Sequence, residues 1–134
     1  IPDLPYDLFL KDYADMAAAH DLPLVFLVTP ETSEERIREI DAHSQTFIYA
    51  VSSAAVTGAQ KSFDERKEAY FQRLKALNLK NPFLVGFGIS NKATRTAAAA
   101  HSAGVIVGSR FVTLLEQHNE PRDAVKALLQ ALNE

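Results

Sequence analysis

Four short apolar runs constrain this chain more than anything else in it: LVFLV (24–28), TFIYAV (46–51), FLV (83–85) and VIV (105–107). Helix-forming sequence follows each of them. Runs of strand length that are apolar throughout mark strands buried on both faces, as in a parallel sheet. Strands alternating with helices imply that sheet, with right-handed crossovers between strands. The spacing is that of the βα unit in a (β/α)8 barrel of about 250 residues. Four strands cannot close a barrel, whose small form needs eight. The fold class is therefore α/β, either a small open sheet or the second half of such a barrel. Ile1 stands where a methionine would, and IPDLP reads as the exit of a buried strand, so the half barrel is the expectation.

The helical stretches carry their own start signals. Residues 7–20 place Leu8, Phe9, Tyr13, Met16 and Ala17 on one broad face, flanked by Pro5 and Pro23. Thr32 and Glu35 fit a capping box. The helix it opens turns Ile37 and Ile40 inward and shows Glu34, Glu35, Arg38 and Glu39 to solvent. Ser62 and Glu65 fit a second box, ahead of Ala69, Tyr70, Leu74 and Leu77 at helical spacing. Ser90 is placed to cap an alanine-rich helix over 93–101. Phe111, Leu114 and Leu115 are expected to pack in a short helix over 111–117. Pro121 suits the first turn of a last helix, whose apolar face is Val125, Leu128, Leu129 and Leu132. Nothing in the pattern reads as a linker, so residues 1–134 are expected to belong to one domain.

Composition removes several function classes. A net charge of −3 over 134 residues leaves no basic footprint for nucleic acid or an anionic membrane. No apolar run approaches the roughly 20 residues of a membrane span. The absence of cysteine excludes disulfides and thiolate chemistry. His20, His43, His101 and His118 are scattered, with no metal-binding spacing, so no metal is expected.

Chemistry is expected where the strands end, since parallel α/β folds place their sites there. Twice an apolar run enters glycine and hydroxyl residues, at GFGIS (86–90) and at GS (108–109), with a helix following. Glycine lets the backbone approach an anion, and a helix start offers unpaired N–H groups and a positive dipole end. Either turn alone also suits a plain strand-to-helix connection. Two in succession point to one phosphate held between them, as in the last two loops of a barrel. Tyr49 either meets a ligand or is a core tyrosine with a satisfied hydroxyl. The loop SSAAVTGAQK (52–61) suits a lid or a plain surface loop. Asp3 is a ligand group or a cap. A triad built on Ser109 has no histidine and aspartate that the sequence places beside it.

IPDLP, FIYAVS, VTGA, VGFGIS and GVIVGS stand in this order and at these spacings in the alpha subunit of tryptophan synthase. The whole chain resembles that family's C-terminal half, from the end of the fourth barrel strand to the last helix. The resemblance implies a (β/α)8 barrel that cleaves indole-3-glycerol phosphate, by retro-aldol chemistry, to indole and glyceraldehyde 3-phosphate. It implies that Gly58, Gly86, Phe87, Gly88, Gly108 and Ser109 hold the substrate's phosphate, and that Tyr49 and Ile106 line the indole and glycerol pocket. Tyr49 and Thr57 would support catalysis, Thr57 by bonding to the catalytic aspartate as its loop closes. Asp3 would face the beta subunit or the site entrance.

The family loop usually reads SRAGVTGA. Ser53 and Ala55 depart from it, which bears on how the loop closes. The family's acid–base glutamate and its aspartate belong to the first half, so no catalytic residue is assigned within this chain. Retro-aldol cleavage needs positioned carboxylates. The chain alone is therefore expected to be inactive, and to be stable only with the missing N-terminal half or by pairing with itself. The expected partners are that half, a beta subunit in an alpha2beta2 complex, and a small-molecule substrate. Pyridoxal phosphate belongs to the beta subunit, leaving no cofactor here. The expected location is the cytoplasm, or the plastid stroma in a plant. Another phosphate-binding barrel, such as indole-glycerol-phosphate synthase or an isomerase, is disfavoured by VTGA following FIYAVS. An autonomous phosphate-ligand-binding α/β domain without catalysis is the non-enzymatic alternative.

Overall fold

This computed structural model describes residues 1, 3–51, 60–86 and 88–134, the side chains of residues 60–64 excepted. The elements run α1 (Tyr6–Asp12), α2 (Ala14–Ala19), β1 (Phe26–Val28), α3 (Glu34–His43), β2 (Ile48–Val51), α4 (Gln60–Ala76), β3 (Phe83–Gly86), α5 (Lys92–Ala99), β4 (Gly104–Val105), α6 (Ser109–Gln117) and α7 (Pro121–Asn133). The strands form one parallel sheet in the order β1-β2-β3-β4. A doubly wound sheet reverses its stepping direction. This one does not, so right-handed crossovers put the helices on one face. That is the winding of a (β/α)8 barrel, here incomplete at four strands.

The register fixes what each face carries. Phe26, Ile48 and Phe83 stand in one row, and Val28, Ala50 and Val85 in another, all six buried. They pack under Ile37 and Ile40 of α3, Tyr70, Phe71, Leu74 and Leu77 around α4, and Ala98 of α5. The row between them, Leu27, Tyr49 and Leu84, projects to the opposite face and is only half-buried. The apolar runs predict strands buried on both faces, whereas one face here is covered by helices and the other is not. Covering the inner face takes the side chains of a closed barrel, and four strands do not surround it.

Residues 7–20 form two helices, not one. Tyr13 leaves helical geometry between α1 and α2, at φ −128°. The inward face is also rotated from the predicted one. Tyr6, Phe9, Leu10, Ala14 and Ala17 meet the core, with Tyr6 and Phe9 edge-on to Phe26 at 5.3 and 5.4 Å. Leu8, Tyr13 and Met16 are exposed. Ser33 rather than Thr32 caps α3, accepting from the Arg36 N–H, because the Thr32 hydroxyl already accepts the Thr29 N–H at 2.9 Å. α4 begins at Gln60, so Ser62 lies inside a helix it was expected to open. Tyr70, Leu74 and Leu77 are buried as the spacing predicts, while Ala69 is exposed and Phe71 takes its place. In α7, Ala124 and Leu132 are buried and Val125 and Leu129 are exposed, so that helix too is turned relative to its predicted face.

Two clusters of polar contacts hold opposite ends of the sheet. Tyr70 donates its hydroxyl to the Val28 carbonyl (3.1 Å), and Arg73 donates to the carbonyls of Pro30 and Thr32. These fix the C-terminal end of β1, and burial pushes the Tyr70 hydroxyl far up. At the other end, Asp41 accepts the N–H groups of Lys80 and Asn81 at 2.7 and 2.9 Å, and the Asn81 side chain at 2.9 Å. Burial alone would raise the Asp41 carboxyl, but these donors outweigh it and hold it below its ordinary range. The clasp joins α3 to the turn that enters β3.

Candidate functional site

At the C-terminal ends of β2, β3 and β4 the structure opens a cavity of ≈ 370 Å³. Tyr49, Gly88, Ile89, Ser90, Ile106, Gly108, Ser109, Arg110 and Thr113 line it. β4 ends at Val105, shorter than the predicted run, yet the Ile106 N–H still donates to the Val85 carbonyl at 2.8 Å. That bond continues the register by one residue, so Ile106 stands beside Gly86 on the helix-free face. Tyr49 lies on the same face, two rows down from the cavity mouth, and burial pushes its hydroxyl up.

The glycines serve different ends. Gly88 has φ +73°, the left-handed region where an L side chain is strained. A Cβ on Gly86 would fall on the Cζ and hydroxyl of Tyr49, so this glycine makes room for the tyrosine ring. Gly86 does not line the cavity. Gly108 has ordinary negative φ, and nothing lies within 4 Å of where its Cβ would stand. The described residues give no steric reason for glycine there.

The two helix starts behind these turns also differ. At α5 a side-chain cap is present, although the N–H groups of Lys92 and Ala93 find no partner among the described residues. Asn91, not Ser90, is the N-cap, and it forms a capping box with Thr94. The Thr94 hydroxyl accepts from Ser90 N–H (3.0 Å) and Asn91 N–H (3.2 Å), and the Asn91 side chain accepts from Thr94 N–H (3.0 Å). At α6 no side chain caps the helix. The Gly108 carbonyl accepts from Phe111 and Val112, while the N–H groups of Ser109 and Arg110 find no partner among the described residues. Both helix starts thus keep two unpartnered N–H groups among the described residues, but only at the second, which has no side-chain cap, do they belong to residues that line the cavity.

Gly88, Gly108, Ser109, Tyr49 and Ile106 are thus brought together, as their positions at the strand ends suggest. Thr57, Gly58 and Phe87 lie outside the described residues. Asp3 is exposed in the turn before α1, and among the described residues the cavity lining contains no carboxylate, lysine or histidine. His43 instead contacts Tyr6 and the Glu39 carbonyl, and His101 pairs with Glu68 at 2.9 Å. Among the described residues no group of three or more acidic or histidine side chains could hold a metal ion, and no helix is long and apolar enough to cross a membrane. Arg110 is the residue that sequence reasoning missed. A cation beside Ser109 reads in a sequence as ordinary surface charge.

A parallel sheet wound in one direction, with glycine turns gathered at the C-terminal ends of its strands, defines this chain as part of a (β/α)8 barrel. The family model for the tryptophan synthase alpha chain matches residues 1–134, and the chain belongs to that family. It is 61% identical to the tryptophan synthase alpha chain of Parabacteroides distasonis, over all of this chain and 52% of that protein. The corresponding protein of Bacteroides thetaiotaomicron is 55% identical over 98% of this chain and 52% of its own length. The solved alpha subunit of Campylobacter jejuni tryptophan synthase superposes with a TM-score of 0.78 at 26% identity, over 98% of this chain and 52% of that one. The chain therefore spans about half the length of the relatives it matches, as their C-terminal half.

Proposed function

We propose that this chain provides the phosphate-holding half of an indole-3-glycerol phosphate lyase. It would grip the substrate while retro-aldol cleavage releases indole and glyceraldehyde 3-phosphate. The observation that carries the reading is the start of α6, where unpartnered N–H groups of Ser109 and Arg110 meet a cavity beside the vacant side of Gly108. An oxyanion placed there would accept both donors at the positive end of a helix. Gly88, held in the left-handed region on the opposite rim, lets the first turn approach the same anion. Tyr49 and Ile106 form the floor on which an indole or glycerol group would rest. Thr57 and Gly58 would act from the loop at 52–59, and Phe87 from the first turn.

Cleaving the substrate requires a proton delivered to the indole ring and another removed from a hydroxyl, which calls for positioned carboxylates. The described residues that line the cavity include none. The glutamate and aspartate would come from the N-terminal half of the barrel, which would also complete the domain and cover Leu27, Tyr49 and Leu84. A pyridoxal-phosphate beta subunit would receive the indole. The reading gives this chain no cofactor of its own, since pyridoxal phosphate would belong to that subunit. Both partners, and the enzyme's place in the cytoplasm, follow from the family resemblance.

Co-expression with the N-terminal half of a family member tests the reading. Indole release from indole-3-glycerol phosphate is expected from the pair and not from this chain alone. Release by the chain alone would show that the acid–base groups lie within it. Glycerol phosphate binding without cleavage by the assembled pair would favour a binding module instead.

A further inference from the structure

Resting on the phosphate reading above, we infer that Arg110 is a specificity-determining residue of this cavity, supplying the positive charge that selects a phosphate dianion over weaker anions. Arg110 is the one charged side chain among the lining residues, and it is half-buried there. It forms no ion pair or hydrogen bond with any described residue. It is also the second residue of α6, where the helix is positive and uncapped. A cation at that end opposes the helix dipole, and α6 carries no acidic residue in its first turn to offset it. Nothing in the protein compensates that arrangement. An anion in the cavity does, since it meets the guanidinium and the two free backbone donors together, and a charge-assisted guanidinium–phosphate contact is the stronger kind. The backbone N–H groups alone would hold an anion of any charge. The arginine adds a preference for the more highly charged one.

The test is titration of the native chain and its Arg110→Gln and Arg110→Lys variants, each assembled with the co-expressed N-terminal half of a family member, with inorganic phosphate at low ionic strength, followed by calorimetry. Arg110→Gln is expected to weaken phosphate binding about five- to tenfold. Arg110→Lys should recover part of the loss, as a point charge without the planar fork. Added potassium chloride should weaken phosphate binding less steeply in the glutamine variant than in the native chain. The unliganded glutamine variant should unfold in urea at the native midpoint or slightly above it, because the unfavourable charge at the helix start is gone. Equal phosphate affinity in the native chain and Arg110→Gln overturns the inference while leaving the phosphate reading intact. Loss of unliganded stability in that variant overturns it as well, by showing a structural role. Absence of phosphate binding by the native chain overturns both the inference and the reading it rests on.

Discussion

Replacing Gly86 by alanine should destabilise the protein through one neighbour, Tyr49. The new methyl group would coincide with the Cζ and hydroxyl of that ring, so the tyrosine must rotate away from the sheet or β3 must shift. Forcing a methyl into a filled site costs about 1–3 kcal/mol. Against this, removing a glycine from a position of ordinary β geometry gains about 0.4–1 kcal/mol by restricting the unfolded chain. The net expectation for Gly86→Ala is a loss of about 1–2 kcal/mol. In a Tyr49→Ala background the clash disappears and only the gain remains, so the same substitution becomes neutral or stabilising. The coupling between the two sites is therefore about 2 kcal/mol, well above the error of a double-mutant cycle. Tyr49→Phe separates ring from hydroxyl: because Cζ stays in place, most of the penalty should persist. Urea unfolding of the native chain, both single variants and the double variant, each assembled with the N-terminal half of a family member and followed by circular dichroism, measures all four corners. An equal cost for Gly86→Ala with and without the tyrosine ring would refute the argument and return Gly86 to the role of a plain turn or ligand contact.

Asp41→Asn should cost about 1–3 kcal/mol at neutral pH, because an amide cannot accept from two backbone donors and the Asn81 side chain as a carboxylate does. The Asp41 carboxyl titrates below its ordinary value in the folded protein. Its contribution is thus fully present above the unfolded carboxyl pKa of about 3.9 and is lost as pH falls through the lower folded value. Stability of the asparagine variant should accordingly fall less steeply in acid than that of the native chain; parallel slopes would show that the clasp does not depend on charge. Tyr70→Phe removes the bond to the Val28 carbonyl and should cost about 1 kcal/mol in urea unfolding. No change would mean that water satisfies that carbonyl as well as the hydroxyl does.

The strands were legible because a parallel sheet asks for little more than short apolar runs, and the four runs supply the four strands in order. Helix orientation was less so. Over 7–20, Leu8, Tyr13 and Met16 are as apolar as Phe9, Leu10 and Ala14, so periodicity alone fits two rotations of the helix. The break at Tyr13 decides between them only in three dimensions. Caps slipped by one residue where two capping residues adjoin, at Thr32–Ser33 and Ser90–Asn91. In both pairs the choice depends on which hydroxyl or amide is already engaged. The site was legible as glycine at strand ends, but the reasons differ from glycine to glycine. Gly86 answers to a tyrosine on the neighbouring strand, Gly88 to its own backbone, and Gly108 to neither. Arg110 escaped notice because its meaning lies in what it fails to pair with.

The contrast between the two helix starts has a consequence for turnover. α5 carries a side-chain cap of its own asparagine and threonine. α6 is left without a cap, and on the proposed reading the substrate's phosphate becomes one. The helix is then completed by the molecule being processed, and part of the chain's folding stability arrives and leaves with each substrate. Product release would leave the start of α6 uncapped again as well as empty the cavity, so the affinity of the grip also sets a lower bound on how hard it is to let go.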